Sequence, residues 1–106
     1  MFRSLRIVVM VTITPAAQRS GFYRILSEWP AVIKRSGIVI TSFGDNVPFT
    51  DYMLCDNLVL LDRGVPDTSG ARRVILAIDT IVGIKITDPI EMARFTVMGF
   101  QANMAR

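Results

Sequence analysis

Residues 72–87 read RRVILAIDTIVGIKIT: two runs rich in β-branched and aliphatic residues, separated by Asp79-Thr80-Ile81. Each run has the length of an ordinary strand, about 5–6 residues. The pattern predicts strands over 72–78 and 82–87 joined by a short turn. VILAI and VGIKI carry almost no charge. Left open at a sheet edge, such segments are an aggregation hazard, so the sequence also predicts that something pairs with them.

The same texture extends back toward the N-terminus. Residues 64–71, GVPDTSGA, collect Gly, Pro, Asp and Ser and read as the longest loop. NLVLLD (57–62) is apolar at both parities, as a central strand would be. Cys55-Asp56 reads as a turn or bulge. VPFTDYML (47–54) is a strand whose Pro48 belongs at a strand start, an edge or a bulge. Gly44-Asp45-Asn46 is a tight turn after IVITSF (38–43), and Arg35-Ser36-Gly37 is a turn after a short strand AVIK (31–34). Short strands and short turns predict an antiparallel meander. A sheet of such short strands buries its own face only by curling.

A helix precedes the strands. Thr14-Pro15 is a capping residue followed by a first-turn proline. Phe22, Ile25, Leu26 and Trp29 fall at i, i+3, i+4 and i+7, one apolar stripe for packing on the sheet. Pro30 stops the helix, and Ser20-Gly21 offers a later start. Asp88-Pro89, with Glu91 beyond, predicts a cap for a short C-terminal helix over EMARF, followed by a tail after Gly99. At the N-terminus, basic MFRSLR precedes apolar IVVMVTIT. That segment is either a strand, a short signal peptide or an extension ahead of a true start at Met10, and it is far short of the ~20 residues that span a bilayer.

Composition narrows the chemistry. The chain has 106 residues, no histidine and one cysteine, Cys55. Those counts exclude an imidazole base, a Cys-His pair, a Cys/His zinc cluster and an internal disulfide. No nucleophile–base pair stands at recognisable spacing, the aspartates match no calcium loop, and residues 64–70 lack a P-loop lysine. The expectation is a non-enzyme with no catalytic residues, no metal and no cofactor. A lone thiol suits the cytoplasm. The net charge is +3, and the basic excess is N-terminal: residues 1–37 hold six basic residues against Glu28 alone. A polyanion would meet that side first.

The helix-then-strands order, with VIKRSGIVITSF as a hairpin, FTDYM (49–53), NLVLLD and above all AIDTIV (77–82), resembles the Sm/LSm family, and within it the bacterial Hfq-type RNA chaperones. The resemblance covers roughly residues 22–87. It implies a mainly β fold: an N-terminal helix followed by a strongly bent five-stranded antiparallel sheet forming a small Sm-like open barrel. Residues 1–13 would then be an N-terminal extension, 14–88 the barrel domain, and 89–106 a short helix and tail. It also implies a homo-oligomeric ring joined through edge strands, binding single-stranded RNA.

The RNA-reading residues carry over only in part. The Lys-His pair of Hfq-type members is replaced by Ile75 and Leu76, and the asparagine expected after Tyr-Met is Leu54. Asn57 follows three residues later. Tyr52 is either a platform for base stacking or an aromatic at the core edge. Arg72 and Arg73 are either phosphate contacts or the charged guard of an edge strand, and Lys34 and Arg35 are either contacts or a solvated turn. The expected RNA-contacting set is therefore Tyr52, Asn57, Arg72, Arg73, Lys34 and Arg35. The missing readers leave a second expectation, an oligomeric structural or adaptor module that binds protein. No membrane partner is expected.

Overall fold

The computed structural model describes residues 21–102. The N-terminal strand or signal segment and the Thr14-Pro15 helix start lie outside those residues. The described residues are mainly β, with one short α-helix, α1 (Gly21–Ser27). Six strands follow: β1 (Gly37–Thr41), β2 (Asn46–Phe49), β3 (Asp51–Cys55), β4 (Leu58–Asp62), β5 (Arg73–Ala77) and β6 (Ile81–Lys85). They form two three-stranded antiparallel sheets, ordered β2-β1-β6 and β3-β4-β5. Among the described residues the two sheets form no closed barrel.

Three expectations are corrected. AVIK is not a strand: the Ile33 amide donates to the Pro30 carbonyl at 3.1 Å, and the Trp29 indole donates to the Ile33 carbonyl at 2.9 Å. Those bonds curl the segment into turns and sink Ile33 into the interior. The strand count is six, not five, because 47–54 is broken at Thr50. There the Thr50 amide bonds the Asp62 carbonyl at 2.7 Å, and the chain passes from one sheet to the other. The strands are not a simple meander either. β6 leaves β5 through a 3-10 turn, Ile78–Thr80, and pairs with β1, Ile38 opposite Lys85.

Strand parity sets the core. Val39, Val47, Phe49, Tyr52, Val59 and Leu61 point inward and meet Leu26 of α1 and Ile78 and Ile81 of the crossover. Phe22 and Trp29 of the predicted stripe pack against this cluster. The β1–β2 turn is tied by buried Thr41, whose hydroxyl accepts from the Phe43 and Asp45 amides at 3.3 and 3.2 Å. The C-terminal element is a 3-10 helix, Met92–Met98, with no side-chain cap. Arg24 of α1 fixes its end by donating to the Met98 carbonyl at 2.9 Å.

Candidate functional site

Tyr52 belongs to the core and not to a binding surface. As the second residue of β3 its side chain falls on the inward parity and is 2% exposed. Its hydroxyl donates to the Leu26 carbonyl at 2.6 Å. Trp29 and Phe49 meet its ring edge to face, with centroids 5.9 and 5.8 Å away. The Arg35 guanidinium covers the ring, 4.1 Å from the centroid. Burial pushes the phenol up to about 12, against the lowering pull of Arg35. A base has no face to stack on, so the stacking role is withdrawn. The outward alternative, an aromatic at the core edge with its hydroxyl in water, is corrected as well.

Arg35 is held by the protein. Its Nε lies 3.2 Å from an Asp51 carboxylate oxygen, and Nη2 donates to the Tyr52 carbonyl. Both bonds fix the cation over the Tyr52 ring, where it also gains from the π face. Lys34 beside it is exposed, on a shallow groove walled by Trp29, Ala31, Thr50 and Asp51.

Asn57 sits in the turn between β3 and β4, and its amide nitrogen lies 3.2 Å from Asp79 Oδ2. Its carbonyl accepts from the Ile78 amide at 2.8 Å. The β3–β4 turn and the AIDT segment are thus joined. The pair is nonetheless poorly suited to a phosphate, because its charge is the Asp79 carboxylate and Asp56 lies next in the turn.

Arg73 opens β5, Arg72 immediately precedes it, and both are exposed. Among the described residues neither guanidinium has an ion pair or a hydrogen bond, and the same holds for the Lys34 ammonium. Register places Arg73 opposite Asp62, which stands opposite Asp51. Arg35 and Arg73 therefore reach one end of the β3-β4-β5 sheet, and Asn57 sits just beyond the other, five residue steps or ~17 Å away. The six residues do not make one site.

β5 and β6, which carry the uncharged VILAI and VGIKI runs singled out in the sequence, each keep one unpaired edge, with Ile75 62% and Val82 58% exposed. One feature went unread in the sequence: the outer face of the β3-β4-β5 sheet is also apolar. Apolar residues at both parities of NLVLLD suggested burial on both sides, and only an exposed Met53 beside them would have argued otherwise. Among the described residues no group of His, Cys, Asp or Glu could hold a metal ion, and no helix is long and apolar enough to cross a membrane. The chain matches no protein-family model, no curated protein and no solved structure.

Proposed function

We propose that this chain is a cytoplasmic homo-oligomeric module of Sm-like design, a bent sheet opened between β5 and β6, whose subunits join edge to edge and whose partners are proteins. The order β6-β1-β2, a one-residue corner at Thr50, then β3-β4-β5 supports that design. The observation that carries the function is the bare edges of β5 and β6, which with β2 and β3 end the two sheets. β2 carries Pro48, which removes a donor and guards an edge, while β5 and β6 contain no proline. A β5 edge meeting a β6 edge makes a head-to-tail contact, and such contacts form a ring where the rotation between subunits closes.

Light scattering tests this directly. The expected particle is a multiple of the 11.8 kDa chain, and Val82→Lys on β6 reduces it. A wild-type mass of 11.8 kDa removes the reading.

A second reading rests on one observation, the unengaged cations Lys34, Arg72 and Arg73. In it the assembly holds single-stranded RNA through phosphates. Binding of an oligouridine probe separates the two. The protein-module reading predicts no binding at 50 mM salt. The RNA reading predicts binding that weakens steeply by 200 mM salt, with a shallower salt slope after Arg72→Ser and Arg73→Ser.

A further inference from the structure

Register sorts the β3-β4-β5 side chains into two faces. Tyr52, Val59 and Leu61 point into the core. The alternate residues form the outer face in three rows: Asp51–Asp62–Arg73, Met53–Leu60–Ile75 and Cys55–Leu58–Ala77. Two rows are apolar and open, with Met53 69%, Ile75 62% and Leu58 43% exposed.

Each row is its own complement when reversed. A two-fold axis along β4, midway between two facing sheets, keeps strand direction and exchanges β3 for β5. Asp51 of one copy then lies over Arg73 of the other, and Arg73 over Asp51. Met53 lies over Ile75, Leu60 over Leu60, Cys55 over Ala77 and Leu58 over Leu58. Arg35, on Asp51, adds a cation that balances the charged row. The one like-charge contact, Asp62 over Asp62, is flanked by Arg73 from both copies. A two-fold across the strands instead sets Asp62 over Leu58 and Arg73 over Ala77, pressing charge onto apolar surface.

We infer that this face is a homotypic interface occupied by a second copy of the chain, packed face to face at the ~10 Å spacing of stacked sheets with nearly aligned strands. It is distinct from edge pairing. Edges join in the plane of the sheet through main-chain bonds, and the face joins out of that plane through side chains. The two contacts can be made at once, so one edge-joined assembly pairs with another.

Sedimentation equilibrium of the full chain tests the inference. Met53 is exposed and lies on β3, away from β5 and β6, so Met53→Lys leaves the β5 and β6 edges intact. It is expected to halve the particle mass, and Arg73→Glu to do the same. The Asp51→Lys, Arg73→Glu double variant is expected to regain the wild-type mass, with circular dichroism showing retained sheet in each. A double variant that stays at half mass overturns the charge match that sets the axis. If Val82→Lys reduces the particle and Met53→Lys does not, the face is overturned and the edges stand. If the wild type runs at twice 11.8 kDa and Met53→Lys brings it to 11.8 kDa, the face stands without the edges. A wild type of 11.8 kDa overturns both.

Discussion

The Tyr52 hydroxyl donates to the Leu26 carbonyl at 2.6 Å, which ties the middle of the sheet to the last turn of the helix. Leu26 is itself buried, so its carbonyl has no water to turn to if the phenol is removed. Tyr52→Phe keeps the ring and its two aromatic contacts and deletes only that donor. It is expected to cost about 1–3 kcal/mol, the range for stranding a buried acceptor. Urea denaturation measures it, and an unchanged midpoint would remove the tie from the account.

The same phenol makes stability depend on alkaline pH. Its folded value is raised to about 12, above the ordinary 10.0. A phenol neutral in the fold and ionised in the unfolded chain contributes stability that is complete below pH 10 and is lost as pH rises toward 12. The loss is on the order of 2 kcal/mol. Thermal melts between pH 9 and 12 should show the wild type falling more steeply than Tyr52→Phe. Parallel curves would contradict the assignment.

The strands were legible where local chemistry and tertiary packing agree. IVITSF, NLVLLD, VILAI and VGIKI lie on β1, β4, β5 and β6 because β-branched runs suit a pleated, half-buried surface. AVIK misled because Trp29 and Pro30, just ahead of it, capture the Ile33 backbone in a turn. The break at Thr50 left no local signal, since it depends on the carbonyl of Asp62, twelve residues away. Among the candidate residues, Tyr52 was read as a platform or a core-edge aromatic, and inward parity along β3 buries it fully instead. Asn57 and Asp79 are 22 residues apart, so their contact is a product of topology that no spacing rule shows.

Gly37 lies close against the β6 backbone. A Cβ built there would collide with the Lys85 carbonyl oxygen and touch the Phe49 ring at 3.5 Å. The obstacle is backbone, and it belongs to the β1–β6 ladder, where Ile38 faces Lys85. Gly37→Ala therefore pushes β6 away from β1, at an expected cost of about 1–3 kcal/mol, the usual range for overpacking. Faster amide exchange across β1 and β6, with β4 unaffected, would locate the damage. A variant as stable as wild type would show that the strands have room to part.

Asp56 is the one described non-glycine residue with positive φ, at 53°. Aspartate tolerates that left-handed region better than most side chains, and a β-branched one does not. Asp56→Val is expected to destabilise the β3–β4 turn by about 1–2 kcal/mol. Asp56→Gly, free of the steric conflict, should hold or raise the melting temperature. Equal melting of the two variants would mean the turn relaxes to another conformation.

The second half of the loop between β4 and β5 is organised by the Asp67 carboxylate. Asp67 Oδ1 accepts from the Ser69 amide, the Ser69 hydroxyl and the Ala71 amide, each at 2.8 Å. The Ala71 amide first, then the Ser69 hydroxyl, hold the carboxyl below the ordinary carboxylate value of 3.8. A lowered folded value means the ionised form stabilises the loop. That contribution is whole above the ordinary value and disappears as pH falls below it, through the folded one. Limited proteolysis within residues 64–71 should therefore accelerate in acid while the sheets stay protected. Asp67→Asn keeps an acceptor but loses the charge, so its loop should be cut faster than wild type at pH 7 and show no acid step. A wild-type loop cut at one rate from pH 7 to pH 2.5 would refute the role given to Asp67.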